Sequence, residues 1–336
     1  MKLPLGKIPY DILKKHVLKF QGYTSPEVLV GPKIGVDFAV VNLDGRYLII
    51  SSDPVTGIEE DIGWYAVNVS ANDVATSGTK PRFLNSVILL PENSDETQVK
   101  NISKQMDNAA KNLQMTIVGG HTEITPNLKQ LIVVTTAFGI TNQYITAANA
   151  EDGDYILMTK TAGIEGTSIL ARIFKDRLKS IDRKTTLRAS EMISQISIVK
   201  DAAILFGTGK VHAMHDSTEG GIIGGVHEMA LASNTGFKLN EKSIEVAKET
   251  DTICNILKIN PSKLLGSGSL LASVKPDEIN SVINELSKHN IKGSVIGKFG
   301  GEKKEIIKNN GLTEEVQHNV IDEIWRLAAL GRSMNS

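Results

Sequence analysis

Near the middle of the chain lies a polar, turn-rich stretch, Asn149-Ala150-Glu151-Asp152-Gly153-Asp154, and beyond it the succession of strand and helix signals starts again. At 336 residues the chain is too long for one comfortable hydrophobic core, so this stretch reads as the joint between two domains. Hydrophobic residues at 41% and charged residues at 22% are the composition of a globular protein. The 37 basic and 38 acidic side chains nearly cancel, leaving a formal net charge of -1. A field of one sign for nucleic acid or a membrane surface is therefore excluded. No run of 18 apolar residues occurs, and Met1 to Lys7 lack the apolar stretch of a signal peptide. The expectation is a cytoplasmic protein with no nucleic-acid or membrane partner. Cys254 is the only cysteine, which rules out an internal disulfide or a thiolate metal cluster within one chain. Its setting, Thr-Ile-Cys-Asn-Ile, reads as an amphipathic helix with a buried thiol.

In the first half, a short helix is predicted from Asp11 to Phe20, inside an arm punctuated by Gly22, Pro26, Gly31 and Pro32. Strands Val36 to Val41 and Tyr47 to Ser52 are joined through Asp44-Gly45. Asp61 is placed to cap a helix from Ile62 to Ser77, closed by Gly78. Strand Phe83 to Leu90, a helix from Ser94 or Asp95 to Leu113, and strands Thr116 to Val118 and Leu131 to Ile140 follow. Helices among several strands imply an α+β sheet covered on one face. In the second half the pattern predicts strands Tyr155–Thr159, Val211–Met214, Phe237–Asn240, Ser269–Val274 and Ser294–Phe299. Between and after them come helices 166–175, 186–206, 221–233, 244–257, 277–289 and 314–330.

The functional signal is the placement of carboxylates beside glycines, strand ends and helix starts. Asp37 lies in Gly35-Val36-Asp37, Asp53 ends an apolar strand before Pro54, and Asp73 sits in the otherwise apolar helix Val69-Ser70-Ala71-Asn72-Asp73-Val74-Ala75. A carboxylate buried there alone costs several kcal/mol, so Asp73 is expected to be paired, exposed or metal-bound. Should the three converge, magnesium would relieve a repulsion of about 4 kcal/mol per close pair. Each has a structural alternative: a turn for Asp37, a cap for Asp53, a solvated helix face for Asp73. Val118-Gly119-Gly120-His121-Thr122-Glu123 is a second signal, a strand running into glycines whose N–H groups can approach an anion. His215-Asp216-Ser217-Thr218-Glu219-Gly220-Gly221, at a strand-to-helix junction, either receives a phosphate or carboxylate or caps the helix through Ser217 or Thr218. Gly163-Ile164-Glu165-Gly166-Thr167 is a similar loop, less specific still.

Taken in order, Ser52-Asp53-Pro54, Asp61-Ile62-Gly63, Asn72-Asp73-Val74-Ala75-Thr76-Ser77-Gly78, Pro81, Gly119-Gly120-His121-Thr122 and Asp216-Ser217-Thr218-Glu219-Gly220-Gly221 resemble the PurM-like, AIR synthase-related superfamily, nearest to its HypE members. The resemblance runs from about Gly35 to Gly300. It implies a two-domain α+β / α/β fold, with a PurM-like N-terminal ATP-binding and dimerisation domain (35–150) and a PurM-like C-terminal domain (151–331). An arm (1–34) and a tail (332–336) would flank them. By motif position, Asp37, Asp53 and Asp73 would hold magnesium. Asp53, Asn72, Gly119, Gly120, Thr122, Glu123, Gly220 and Gly221 would line the ATP site, and His121, Asp73 and Asp216 would carry the chemistry.

The resemblance further implies a homodimer through the N-terminal domains, a small-molecule or protein-bound acceptor, and phosphoryl transfer from ATP to an amide-like or phosphate oxygen. A thiamine monophosphate kinase-like kinase, or a non-catalytic nucleotide-binding partner in hydrogenase or metallocentre maturation, are the alternatives. Two departures stand out. His121 occupies a position where many HypE sequences have aspartate, so one metal ligand is missing or replaced by Glu123. HypE ends in a cysteine that carries a carbamoyl group, whereas this sequence ends Gly331-Arg332-Ser333-Met334-Asn335-Ser336. A HypE-related ATP enzyme without that carrier is expected.

Overall fold

The computed structural model describes residues 3–174, 177–316 and 319–334. Two compact units emerge, and each is described by itself. The N-terminal unit joins Ser25–Gly31 to Asp37–Tyr144; the C-terminal unit joins the chain up to Thr24, Pro32–Val36 and the chain from Ile145 onward. The residues expected to form a separate arm are thus divided between the units. Their first helix, α1 (Tyr10–His16), belongs to the C-terminal unit and stops short of Phe20.

In the N-terminal unit, β1 (Val28–Val30), β2 (Ala39–Leu43) and β3 (Arg46–Thr56) precede α2 (Ile62–Thr76), β4 (Phe83–Leu90), α3 (Glu96–Asn112), β5 (Thr116–Ile124) and β6 (Ile132–Thr141). Asp44 and Gly45 both adopt positive φ, 49° and 88°, which is the geometry a two-residue hairpin between β2 and β3 demands. The sheet order is β1-β2-β3-β6-β4-β5, antiparallel except where β4 meets β5. Along β6 every second residue is buried, and that alternation marks the face on which α2 packs. All residues of α2 except Trp64 and Val69 are buried, as a helix apolar on all sides must be. Gly63 permits its close crossing with α3, since a Cβ there would stand 2.6 Å from the Ile102 carbonyl oxygen. Asp95 caps α3 by accepting from the Gln98 N–H, whereas Asp61 precedes α2 in a left-handed conformation without capping it.

Strand β3 runs three residues past Asp53, through Pro54. Its pairing with β2 ends at Ala39 opposite Ile50, so Ser51 to Thr56 pair only with β6. A proline is tolerated on such an open edge because it interrupts no ladder on that side. The same early end of β2 leaves Asp53 half-buried rather than enclosed.

The C-terminal unit contains β7 (Tyr155–Thr159), α4 (Ile164–Ile173), α5 (Arg183–Glu191), α6 (Val199–Gly207), β8 (Val211–Asp216), α7 (Gly221–Ser233) and β9 (Phe237–Asn240). Then come α8 (Lys248–Leu257), β10 (Leu270–Val274), α9 (Ile279–Lys288), β11 (Gly293–Phe299), β12 (Lys304–Ile307), β13 (Thr313–Glu315) and α10 (Glu323–Met334). Its sheet runs β13-β12-β9-β11-β7-β10-β8. Ile156, Met158, Leu271 and Ile296 from the strands pack with Ile222, Val226 and Met229 of α7 in one core cluster. Cys254, in α8, belongs to a second cluster with Leu170, Ile253 and Leu264. Burial pushes its thiol up to about 12, so it is inert at neutral pH.

The helix expected from Thr186 to Phe206 is broken into α5 and α6. Between them Met192–Gln195 form a 3-10 turn, and the Lys160 ammonium binds the carbonyls of Gln195 and Ser197 at 3.2 and 2.8 Å, so those oxygens are satisfied without an α-helical donor. The helix expected from Glu314 begins only at Glu323, because Thr313–Glu315 pair with β12 instead. Of the expected tail, α10 takes in residues up to Met334; Asn335 and Ser336 lie outside the described residues.

Candidate functional site

Ser51 and Asp53 share one face of β3, because alternate residues of a strand point the same way, and Ser51 is buried there against α2. The Ser51 Oγ lies 2.7 Å from Asp73 Oδ2 and 2.8 Å from the Asp37 carbonyl oxygen. One hydroxyl has one proton to donate, and the carboxylate is the stronger acceptor. Asp73 is therefore buried and paired, which removes the reading of a solvated helix face. Asp53 stands two residues along β3 from Ser51, roughly 7 Å at a strand's rise. The Asp73 carboxylate and the Asp37 backbone carbonyl thus meet at one hydroxyl just before β2, with Asp53 two residues along β3, and carboxylate oxygens are the donors that magnesium takes. Asn72 is fully buried in α2 and offers no surface for a nucleotide within this chain.

The Gly-Gly-His-Thr-Glu segment is not a loop after a strand. It is the second part of β5, an edge strand exposed along its whole length. Gly120 has φ +155°, and a Cβ there would stand 2.1 Å from the Ser86 carbonyl oxygen. Close approach to β4 requires this glycine, whatever it does for a ligand. His121 and Glu123 project on the same side and meet, Nε2 to Oε2, at 2.9 Å, while Thr125 donates to the other Glu123 oxygen at 3.0 Å. Those bonds hold the Glu123 carboxyl below its ordinary range. From β3 to β5 the sheet order is three strands, roughly 14 Å at about 4.8 Å per step. Within one chain, then, Gly119, Gly120, His121, Thr122 and Glu123 do not join the aspartates.

In the C-terminal unit, Asp216 ends β8 and is buried. Neither Ser217 nor Thr218 caps α7; the N-cap is Gly220, at φ +85°, and its N–H donates to Asp322 Oδ2 at 2.8 Å. A carboxylate does sit at this helix start, and it is the chain's own. Gly221, at φ +61°, passes so close to the Ser262 and Leu264 carbonyls that a Cβ would stand 2.7 Å from each.

Around the same turn lies a cluster that the sequence analysis did not single out. The Lys7 backbone N–H donates to Glu219 at 2.8 Å, and its ammonium reaches Thr218 Oγ1 at 3.2 Å and Glu228 Oε1 at 3.0 Å. Glu228 also accepts from the Tyr10 hydroxyl at 2.9 Å and meets His215 Nε2 at 3.0 Å. Burial raises the Glu228 carboxyl, but Lys7 and His215 outweigh it and the net direction is down. The available signal was Glu228 itself, a carboxylate in the apolar helix Gly221–Ser233, the argument already applied to Asp73.

Two α/β units, each a mixed sheet with helices packed on it, give the architecture of an AIR synthase-like, PurM-like protein. The N-terminal domain of AIR synthase related proteins matches residues 35–141 and the C-terminal domain matches 151–309. The chain belongs to that family. It is 25% identical over 311 residues to a putative hydrogenase expression/formation protein of Methanocaldococcus jannaschii, covering 90% of each chain. It is 26% identical over 286 residues to the carbamoyl dehydratase HypE of Escherichia coli K12, covering 82% of this chain and 81% of that one. The fold is also that of the hydrogenase maturation protein HypE solved in complex with ATP, with a TM-score of 0.68 at 19% identity over 92% of this chain and 93% of that one. Among the described residues no helix is long and apolar enough to cross a membrane.

Proposed function

We propose that the chain is a magnesium- and ATP-dependent enzyme that transfers a phosphoryl group from ATP to an amide-like or phosphate oxygen of an acceptor. The observation that carries this reading is Asp73, a carboxylate kept in a buried apolar helix by Ser51, two strand positions from Asp53. Burying a carboxylate is costly unless it serves or pairs. The dehydratase named among the relatives and the ATP-bound HypE support the nucleotide and the class of reaction.

Asp37, Asp53 and Asp73 would hold the ion, which would neutralise phosphate charge. Ser51 orients the Asp73 carboxylate by donating to it. The acceptor oxygen attacks the γ-phosphorus in line, ADP leaves, and the phosphorylated oxygen becomes a good leaving group. His121, paired with Glu123 on an edge strand, takes part only if a second copy brings its β5 to this patch. A homodimer through the N-terminal sheets is accordingly part of the proposal, with β5 as the surface it covers.

The test is phosphate release from MgATP with carbamoyl, formamidine and thiamine phosphate compounds as candidate acceptors. One class is expected to stimulate turnover, and Asp53→Asn to abolish it while weakening MgATP binding at least tenfold, about 1.4 kcal/mol. Unchanged MgATP affinity in Asp53→Asn and Asp73→Asn would sink the metal-site reading. Tight ATP binding without turnover would leave a binding protein.

A further inference from the structure

Several segments of the C-terminal unit bring buried oxygens together. Glu165 lies in the first turn of α4, Ser217 and Glu219 in the turn after β8, Ser267 in the loop before β10, and Asp322 just before α10. Backbone hydrogen bonds fix this convergence. Gly166 N–H donates to the Leu265 carbonyl at 2.8 Å, Gly266 N–H to Thr218 at 3.2 Å, and Ser217 N–H to Ser269 at 3.1 Å. The Gly220 N–H brings in Asp322 Oδ2 at 2.8 Å. The loop presses on Ser217 so closely that a Cβ on Gly266 would stand 2.2 Å from its Oγ.

Glu165 Oε2, Ser217 Oγ and Ser267 Oγ are all sealed from solvent, and none makes a hydrogen bond of good geometry in the protein, although Ser267 stands close enough to Glu165 to favour its charge. The three residues are 5%, 0% and 1% exposed. A single buried polar atom left so costs about 1–3 kcal/mol, and native proteins seldom accept it without a bound ligand. Three at one place, with Asp322 beside them, point to an occupant. Its charge is settled by the surroundings. Carboxylates repel an anion, and the nearby Lys7 ammonium is directed at Thr218 and Glu228 instead.

We propose that Glu165, Ser217, Ser267 and Asp322 form a buried site for a hard cation, bound through oxygen. Carboxylates supply the charge and hydroxyl lone pairs the neutral donors, the ligand chemistry of sodium, potassium, magnesium or calcium. The ion ties the starts of α4, α7 and α10 together, so it stiffens the Asp216–Gly221 turn. Burial first, and then mutual repulsion, push the Glu165 and Asp322 carboxyls up to about 7, against a partial offset from Ser267 and from backbone donors. Carboxyls packed without a counter-charge behave in this way, and a cation reverses it.

The experiment is calorimetric unfolding of the full chain, stripped with a chelator and dialysed into choline buffer. Sodium, potassium, magnesium and calcium chlorides are then added singly at matched ionic strength. Each titration is repeated in the Asp53→Asn/Asp73→Asn background, so binding at the proposed nucleotide site is not counted. One ion is expected to raise Tm saturably beyond choline in both backgrounds. Glu165→Gln should abolish that rise, and Ser267→Ala should weaken the apparent affinity at least tenfold. The proposal is overturned if no ion exceeds choline, or if Glu165→Gln and Ser267→Ala respond like the parent; the oxygens then hold water only. Should Glu165→Gln fail to fold, Ser267→Ala decides alone.

Discussion

Ser51 of β3 and Asp73 of α2 are joined at 2.7 Å by a hydroxyl donating to a carboxylate, and both residues are buried. The bond links a strand to the helix that covers it and fixes which way the Asp73 carboxylate faces. Ser51→Ala removes one donor to that carboxylate, which costs about 1–3 kcal/mol of stability. MgATP affinity measured by titration calorimetry is expected to fall. Asp73→Asn keeps an acceptor for Ser51, so its Tm should stay close to the parent while MgATP binding is lost. If Ser51→Ala binds MgATP as the parent does, the hydroxyl has only a packing role.

Gly120 holds β5 against β4 through a positive φ and a carbonyl contact that no side chain fits. Gly120→Ala is expected to lower stability by about 2 kcal/mol or more. Amide exchange should show the loss concentrated in residues 116–124, with α2 and β3 still protected. Unaltered exchange along β5 would show that the strand absorbs the methyl group.

Stability should decline as pH rises from about 4.5 toward 7, through Glu165 and Asp322. Burial pushes both carboxyls up to about 7 in the folded chain, against ordinary values of 4.5 and 3.8. Between these limits the folded chain holds protons that the unfolded chain has released, so raising pH favours unfolding. The contribution is fully present below the ordinary carboxylate range and gone above about 7. Glu165→Gln removes its share of this slope, which urea unfolding at pH 5 and pH 7.5 would reveal. The proposed cation competes with the same protons, so its effect on Tm should grow over that interval. A parent slope unchanged in Glu165→Gln would mean that the carboxyl titrates normally.

Ile117, Val118 and Ile124 stand exposed on β5, an edge strand with unpaired backbone on its outer side. Such an edge seeks a partner, and with the proposed homodimer light scattering at micromolar concentration should give twice 36.4 kDa. Val118→Asp is expected to shift the protein toward monomer and to reduce ATP turnover with it. A monomeric parent would defeat the dimer and, with it, any part for His121.

Much of the fold could be read from local pattern. Strands Phe83–Leu90, Tyr155–Thr159 and Phe237–Asn240 and helix Gly221–Ser233 lie at the predicted bounds, because apolar runs and glycine ends are local properties. Two of the misses share one cause, a partner distant in sequence: Lys160 breaks the helix expected between Thr186 and Phe206, and β4 holds Gly119–Ile124 as a strand. Neither partner is visible within the window that propensity reads. The third is local, since Thr313–Glu315 fold back on β12 as a hairpin where a helix start was expected.

The site divides in the same way. Sequence alone determined that Asp73 sits in a helix too apolar to bury it unpaired, since one-dimensional composition sets the cost of burial. It also determined that glycines cluster where backbones must turn or approach. Only the tertiary structure decided that Ser51 is the partner of Asp73, and that β5 stands three strands away from it. The same holds for Asp322, which occupies the helix start that Ser217 and Thr218 were expected to cap. Such choices depend on which distant atoms arrive within about 3 Å, and strand order and helix packing bring them there.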